Sequence, residues 1–209
     1  MIKNIIFDFD GVILDSLPIK DFGFQEIFKE FPKEQVDKLI DFHKRNGGWS
    51  RFVKIRYFYE NILKREISDD EVLRYAEKFS NVVVKELTNK KYLISETIKF
   101  LESNFGRYNL HVASGAEENE LKYIAKELDV AKYFISINGS PTRKIVLVEN
   151  ILKKNRYSKN ETILIGDSIN DYEASHENGI EFFGFNNLEL SKFRYISNFQ
   201  DFEKELETI

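Results

Sequence analysis

The chain has 209 residues, of which 42% are hydrophobic and 32% are charged, which allows one domain with a small companion and a sizeable core. The formal net charge of −4 argues against a nucleic-acid-binding protein, and the lack of cysteine excludes disulfides, thiolate zinc sites and cysteine nucleophiles. No apolar run approaches the length that spans a bilayer. We therefore expect a cytoplasmic protein with no nucleic-acid or membrane partner, and the sequence does not indicate its oligomeric state.

The first predicted element is a buried strand over Ile2–Phe9, which ends at the turn signal Asp10-Gly11. Four apolar stripes at helical spacing follow between Leu17 and Leu87 and predict helices only. Beyond Lys91, strands and helices alternate. The predicted strands there are Leu110–Ala113, Tyr133–Ile137, Thr162–Ile165 and Ile180–Phe183, and the predicted helices are Ser95–Asn104, Glu117–Leu128, Thr142–Asn155 and Asn170–Asn178.

Alternating strands and helices are typical of a parallel sheet with helices on both faces. The first strand belongs with this pattern, so the all-helical block is an insertion that follows it. We therefore predict an α/β fold: a doubly wound parallel-sheet, Rossmann-like core with a small all-helical cap domain inserted after the first strand. The predicted core comprises residues 1–16 and 90–209, and the predicted cap comprises residues 17–89.

Polar residues collect at the carboxyl ends of the predicted strands, which is where open parallel sheets bind ligands. Asp8 and Asp10 end the first strand, and Ser114-Gly115 ends the second. Because side chains at i and i+2 of an extended chain project to the same side, the two aspartates lie close together and repel each other. This spacing suits a nucleophile beside a general acid/base, with a bound cation; the alternative is a strand end with an ordinary Asp-Gly turn.

Further residues extend this candidate site. Gly11 lets the backbone turn sharply and present N–H groups to an anion. Asp167 and Asp171 add two carboxylates at i and i+4, either as acidic residues at a helix start or as ligands in an oxygen-rich pocket. Such a pocket suits Mg²⁺, which prefers a few carboxylates, waters and phosphate oxygens.

Two residues on later elements have both an ordinary and a functional interpretation. Ser114 is either a helix cap or a hydroxyl that hydrogen-bonds a phosphoryl oxygen, with Gly115 beside it in a substrate-binding turn. Lys144, near a predicted helix start, is either a solvated surface residue or a cation that neutralises a nucleophile and a transferring group. Arg143 is the alternative to Lys144 for this second role. His43, next to Lys44 and Arg45, is interpreted as part of a solvated helix end.

These segments, in this order and on these elements, resemble the haloacid dehalogenase-like superfamily, in its phosphatase branch with a helical cap, which includes phosphoglycolate phosphatases and β-phosphoglucomutases. The segments that carry the resemblance are Asp8-Phe9-Asp10-Gly11-Val12, Ser114, Lys144 and Gly166-Asp167 through Asp171. The family often has Thr where this chain has Val12, although valine occurs there in the branch with sugar phosphomutases. The second aspartate of the first segment, which dehalogenases lack, argues against halide chemistry.

The resemblance implies a role for each residue. Asp8 would be the nucleophile that forms an aspartyl-phosphate, and Asp10 would protonate the leaving oxygen and then activate water. Asp8, the backbone carbonyl of Asp10, and Asp167 would hold Mg²⁺, while Asp171 would orient the ion or its waters. The remaining two residues, which would grip the phosphoryl group, are Ser114 and Lys144.

The segment Gly47-Gly48-Trp49-Ser50-Arg51 interrupts two predicted cap helices and resembles the specificity loop of capped phosphatases and β-phosphoglucomutase. Arg51 is positioned to bind a second anionic group of the substrate, and Trp49 to form a wall against a sugar or acyl face. The alternative is an ordinary helix–helix turn with an exposed arginine and a half-buried tryptophan.

The resemblance therefore implies a Mg²⁺-dependent phosphatase of a small phosphorylated metabolite, such as a sugar phosphate or a phosphoglycolate-like acid. A sugar phosphomutase is the first alternative, because it shares the nucleophile, the acid/base and the cap. A phosphorylatable receiver module, from another functional class, also combines acidic residues, a hydroxyl and a lysine on a parallel sheet. Receivers carry their phospho-acceptor later in the chain, lack a large helical insertion and are shorter.

Overall fold

The computed structural model describes residues 1–206, and within them it contains a six-stranded parallel sheet of order β3-β2-β1-β4-β5-β6. The strands are β1 (Asn4–Phe7), β2 (Asn109–Glu117), β3 (Ser136–Ser140), β4 (Thr162–Gly166), β5 (Glu181–Phe185) and β6 (Tyr195–Ile196). Strand β1 pairs with β2 on one side and with β4 on the other. The strand order therefore reverses at β1, and the crevice beyond its carboxyl end is where such sheets bind ligands.

Helices occupy the connections between these strands. Between β1 and β2 lie α1 (Leu17–Ile27), α2 (Lys33–Arg45), α3 (Arg51–Tyr57), which continues into a π-helical turn over Phe58–Ile62, α4 (Asp69–Leu87) and α5 (Ser95–Asn104). The later helices are α6 (Glu118–Glu127), α7 (Lys144–Asn155), α8 (Ile169–Asn178) and α9 (Phe199–Leu206). Within residues 1–206, no helix combines the length and apolar character needed to cross a membrane.

The two faces of the sheet are buried in two separate apolar clusters. Along β1, Ile5 and Phe7 belong to one cluster and Ile6 to the other, because successive side chains of a strand point to opposite faces. Helices α5, α6 and α9 cover the first face, and α7 and α8 cover the second. This arrangement confirms the predicted doubly wound α/β core.

Helices α1 to α4, which we call the helical insertion, form a small layer whose apolar side is continuous with the first cluster. The Ser68 side chain accepts a hydrogen bond from the backbone N–H of Glu71, whose carboxylate accepts one in return, so a capping box begins α4. Aromatic contacts join the layer, such as Phe24 against Phe79 with ring centroids 4.6 Å apart. The helices fall within the predicted residues 17–89, and their limits as a domain stay a prediction.

The chain after β2 differs from the prediction in two places. The strand predicted over Tyr133–Ile137 lies at Ser136–Ser140, because Tyr133 is part of a 3₁₀ turn whose ring packs into the core. Strand β6 and helix α9 were not predicted at all. The predicted helix Ser95–Asn104 is confirmed residue for residue.

Gly23, in the middle of α1, is expected to be intolerant of alanine. A Cβ built there would lie 2.5 Å from Cγ1 of Val83 and 2.8 Å from the Phe79 ring. Gly23→Ala should therefore lower the free energy of unfolding by about 1–3 kcal/mol, although alanine normally favours a helix over glycine by about 1 kcal/mol. Urea denaturation measures the difference.

Gly106→Ala is the matched control, since a Cβ at Gly106 meets no atom within 4 Å. The control should leave the urea midpoint nearly unchanged. A Gly23→Ala protein as stable as the unaltered chain would contradict the close packing of α1 against α4.

Candidate active site

Four of the predicted site residues meet beyond the carboxyl end of β1. The Lys144 ammonium, at the start of α7, lies 2.9 Å from Oδ2 of Asp8 and 2.5 Å from Oδ1 of Asp171. One carboxylate oxygen from each of Asp8, Asp167 and Asp171 lies within 4.8 Å of the others. All four side chains are buried. Segments separated by more than a hundred residues in sequence therefore form one polar cluster.

Local backbone features hold the carboxylates of Asp167 and Asp171 in place. Asp171 is the third residue of α8 and accepts hydrogen bonds from the backbone N–H of Ser168 at 3.0 Å and from its hydroxyl at 2.6 Å. Gly11 has a φ of +75°, and a Cβ there would lie 2.0 Å from Oδ2 of Asp167, so only glycine fits. The Gly11 N–H donates to the carbonyl of Leu14 at 2.8 Å, so this N–H already has a partner within the turn and does not face an anion.

The cluster carries more negative than positive charge. Burial and the neighbouring Asp171 carboxylate raise the pKa of Asp8 to about 7, although Lys144 opposes this. Burial and the Asp8 carboxylate also raise the pKa of Asp167 well above its ordinary value. Burial alone would lower the pKa of Lys144, but the two carboxylates that it contacts raise it. One ammonium against three carboxylates leaves room for a cation.

The donor set fits Mg²⁺. The three carboxylates are hard oxygen ligands, their oxygens lie close enough together to reach one ion, and their mutual repulsion is what a divalent cation relieves. The carboxylate of Asp10 is outside this group of three. The expectation that Asp10 contributes its backbone carbonyl to a metal stays a prediction.

Asp10 instead faces the helical insertion. Its carboxylate accepts a hydrogen bond from the Ser16 hydroxyl at 2.6 Å and pairs with the Lys20 ammonium, on α1, at 2.5 Å. Burial alone would raise the pKa of Asp10, but the Lys20 ammonium and the Ser16 hydroxyl hold it below its ordinary value. The Ser114 hydroxyl lies 3.5 Å from the same carboxylate. Asp10 and Ser114 are thus neighbours, as their positions at the ends of adjacent strands predict.

The turn that resembles a specificity loop lies directly on the core. A Cβ at Gly115 would be 2.3 Å from the carbonyl oxygen of Gly48, and a Cβ at Gly48 would be 2.9 Å from the Ser168 hydroxyl. A Cβ at Gly48 would also lie 3.4 Å from Nζ of Lys144, which contacts Asp8, and Asp8 itself is only 2% exposed. The Gly47-Gly48 turn of the insertion therefore packs against the polar cluster.

Arg51 and Trp49 occupy different environments. Arg51 is only 7% exposed, and its guanidinium lies 2.9 Å from Glu120 on α6 and 2.6 Å from the Ser80 hydroxyl on α4. Its charge is thus used in a contact between the insertion and the core. Trp49 is 41% exposed and packs edge-on against Phe42, with ring centroids 5.7 Å apart. Contact of either residue with a substrate stays a prediction.

The structure brings residues to the site that the sequence analysis did not select. His43, interpreted as part of a solvated helix end, is 2% exposed, which corrects that interpretation: α2 turns it toward Phe24, with ring centroids 4.9 Å apart. Lys20, Lys54 and Glu120 were not predicted either. Each lies in a helix where charged residues alternate with apolar ones, so their spacing in the sequence does not distinguish these three residues from exposed ones.

Two cavities lie where the insertion meets the core. The larger, of about 330 Å³, opens beside the β3–α7 connection, and the smaller, of about 30 Å³, lies on the other side of the Gly47-Gly48 turn. Residues that line the larger cavity include Trp49, Val53, Ser140, Arg143, Lys144 and Asn170. Residues that line the smaller cavity include Asp10, Lys20, His43, Arg51, Lys54 and Glu120. Asp10 therefore faces the smaller cavity.

Comparison with known families identifies the class of this fold and site. The family model described as haloacid dehalogenase-like hydrolase matches residues 5–185, which contain β1 except Asn4, strands β2 to β5, the insertion and the whole polar cluster. The chain therefore belongs to the haloacid dehalogenase-like hydrolases.

Individual relatives are more distant. A phosphorylated carbohydrates phosphatase of Thermotoga maritima is 24% identical over 86% of this chain and 82% of its own length. A phosphoglycolate phosphatase of Vibrio parahaemolyticus is 23% identical over 88% of this chain and 83% of its own. The crystal structure of β-phosphoglucomutase from Clostridium difficile shares the fold, with a TM-score of 0.75 and 18% identity over 100% of this chain and 98% of that one.

Addition of Mg²⁺ to metal-free protein is expected to raise the Tm more at about pH 8 than at about pH 5. The pKa of Asp8 is raised from 3.8 to about 7 in the folded protein. Between pH 3.8 and about pH 7, Asp8 therefore holds a proton in the folded protein but not in the unfolded protein. The folded state therefore binds more protons, so stability from this group falls as the pH rises through about 7. Above that pH, Mg²⁺ takes the place of the proton.

Thermal unfolding with and without Mg²⁺ at the two pH values measures this difference, and each kcal/mol gained corresponds to about 2–4 °C in a chain of this size. Asp8→Asn should reduce the pH dependence of the Mg²⁺ effect to the part that comes from Asp167, whose pKa is also raised, whereas Asp37→Asn, at an exposed position on α2, should leave it unchanged. An equal Mg²⁺-induced shift at both pH values would show that Asp8 does not bind the ion.

Proposed function

We propose that this chain is a Mg²⁺-dependent phosphatase that hydrolyses a small phosphorylated metabolite. The observation that carries the proposal is the contact of the Lys144 ammonium with Asp8 at 2.9 Å, inside a cluster of three buried carboxylates. The proposed nucleophile, a cation and the candidate metal ligands would thus act together beyond the carboxyl end of β1. Two relatives over most of the chain that are named as phosphatases support the same reaction class.

Asp8 is the proposed nucleophile. One oxygen of its carboxylate attacks phosphorus, the bond between phosphorus and the leaving oxygen breaks, and an aspartyl-phosphate forms. Lys144 contacts Asp8 directly and is placed to neutralise charge on the phosphoryl oxygens. Ser114, buried at the end of the adjacent strand, would donate a hydrogen bond to the same group. Bound Mg²⁺, held by Asp8, Asp167 and Asp171, would supply further neutralisation of the phosphoryl charge.

Asp10 is the proposed general acid and base. It gives a proton to the leaving oxygen as the first bond breaks, and then takes a proton from the water that attacks the aspartyl-phosphate. Inorganic phosphate leaves and Asp8 is regenerated. The first half of the reaction requires Asp10 to hold a proton, whereas the Lys20 and Ser16 contacts favour ionised Asp10, which is the form required in the second half.

The helical insertion is the proposed cap. Because the Gly48 turn packs against the polar cluster and Asp8 is only 2% exposed, we expect substrate entry to require the insertion to move away from the core and to close again afterwards. The contacts of Arg51 and Ser80 with Glu120 break on opening and reform on closing. Closure excludes bulk water and favours small substrates over polymers.

Asp8→Asn is expected to abolish Mg²⁺-dependent release of phosphate from an aryl phosphate, with kcat/KM lower by ~10⁴-fold or more, because the nucleophile is removed. Asp10→Asn should also be severely impaired. Asp15→Asn, an exposed carboxylate seven residues beyond Asp8, is the control and should remain active. Full activity of Asp8→Asn would rule out the proposed nucleophile.

The likeness to β-phosphoglucomutase leaves sugar phosphomutase as the second candidate, since a closed cap also suits transfer to a sugar hydroxyl. Incubation with a hexose 1-phosphate and a trace of hexose bisphosphate separates the two functions. Conversion to the 6-phosphate without free phosphate would support the mutase. Release of inorganic phosphate supports the hydrolase.

A further inference from the structure

The smaller cavity at the junction of insertion and core is assigned to the leaving group of the substrate. This assignment rests on the proposed function, in which Asp10 protonates the leaving oxygen. That oxygen must therefore lie within hydrogen-bond reach of Asp10. Asp10 lines the cavity of about 30 Å³ and not the one of about 330 Å³. In the closed protein, the part of the substrate beyond the phosphoryl group thus faces the smaller cavity.

The size of this cavity limits what it holds. A water molecule needs at least about 10–15 Å³ of such space, so a cavity of about 30 Å³ has room for roughly two groups of that size. A carboxylate beyond one carbon atom is of this order, whereas a sugar ring or a second phosphoryl group is larger. A short acid therefore fits the closed cavity more readily than a sugar ring does.

Three cations of the insertion face the cavity, and two of them have carboxylate partners. Lys20 pairs with Asp10 at 2.5 Å, and Arg51 pairs with Glu120 at 2.9 Å. The third, Lys54, is 2% exposed and has contacts only with neutral groups in the described part of the chain: Nδ1 of His43 at 2.8 Å and the carbonyl oxygen of Gly47 at 3.1 Å. Its positive charge therefore lacks a direct counter-ion.

His43 holds the Lys54 side chain in position without supplying a charge. Burial and the nearby ammonium lower the pKa of His43 to about 2, so the imidazole is neutral. Because an ammonium only donates hydrogen bonds, Nδ1 of His43 accepts from Lys54 and the hydrogen is on Nε2, which faces Asp21 at 3.7 Å. Burial and the Lys20 ammonium lower the pKa of Lys54 itself to about 7, and the Asp10 and Asp167 carboxylates only partly oppose this.

We propose that Lys54 binds a carboxylate on the leaving group, so that the substrate is the phosphate monoester of a small hydroxy acid. A carboxylate in the cavity completes the charge pairing that Lys20 and Arg51 already have with Asp10 and Glu120. The charge-assisted hydrogen bond forms only when the cap is closed, since Lys54 is on α3 and the phosphoryl site is on the core. Closure of the cap would thus both bind the acid and bring the catalytic residues together.

The experiment compares substrates that differ at one end only. Phosphoglycolate, ethyl phosphate and phosphoethanolamine share a two-carbon leaving group and carry a carboxylate, a methyl and an ammonium, respectively. A hydrogen bond to a charged group is worth about 1.5–3 kcal/mol, so kcat/KM for phosphoglycolate should exceed that for ethyl phosphate by about 10–100-fold. Phosphoethanolamine should be the poorest of the three because its ammonium meets Lys54.

Substitution of Lys54 then assigns the selectivity to this residue. Lys54→Met, of similar length but uncharged, should reduce the ratio of kcat/KM for phosphoglycolate over ethyl phosphate to near one, mainly through a higher KM for phosphoglycolate. Lys54→Arg keeps the charge and should restore part of the ratio. Lys38→Met, an exposed lysine on α2, is the matched control and should leave the ratio unchanged.

The outcomes separate this inference from the proposed function. Absence of activity on every phosphate ester, the aryl phosphate included, would mean that the chain is not a phosphatase. Activity on the aryl phosphate with equal kcat/KM for phosphoglycolate and ethyl phosphate would overturn the Lys54 inference alone. An unchanged ratio in Lys54→Met would do the same, as would a hexose phosphate that is turned over faster than phosphoglycolate.

Discussion

The site depends on a single buried ammonium, that of Lys144, which lies between two carboxylates. Asp8 and Asp171 come from different strands' ends, and both contact Lys144 while nearly excluded from water. Without a cation, buried carboxylates at this distance would repel each other or take up protons. The first residue of α7 therefore offsets part of the repulsion between the carboxylates that follow β1 and β4. The raised pKa of Asp8 indicates that one ammonium does not complete the neutralisation.

The half of the site that lies on the core was predictable from the sequence because its position is set by topology. Asp8, Ser114 and Asp167 each follow a strongly apolar run, and the carboxyl ends of neighbouring parallel strands meet at one edge of a sheet. Elements with weak apolar patterns were predicted less accurately. Strand β3 is a polar edge strand, and β6 has two residues, so neither gives the alternation or length on which strand prediction depends.

The half of the site contributed by the insertion could not be predicted in the same way. Lys20 and Lys54 of the insertion, and Glu120 of the core opposite them, lie on helices, where the face that a residue occupies is known only once the helices pack against each other. Charged residues are rarely fully buried unless paired, so their default interpretation is a solvated surface. Arg51 was selected for its place in the loop, but the contact with Glu120 across the two layers is visible only in the folded chain.

Core and insertion bring opposite charges to their interface. At the strand ends the core presents Asp8, Asp10 and Asp167, while the insertion presents Lys20 and the other buried cations described above. In the proposed opening of the cap, these charges would separate and meet water, where their interaction is weak. Closure would bury them together, where it is strong. A substrate that carries a negative group at each end suits such an interface. One end would add to the negative charge of the core, which Lys144 and a bound metal ion would offset. The other end would meet the cations of the insertion. The free energy that closes the cap would then come from the substrate itself, which links selectivity to the exclusion of water.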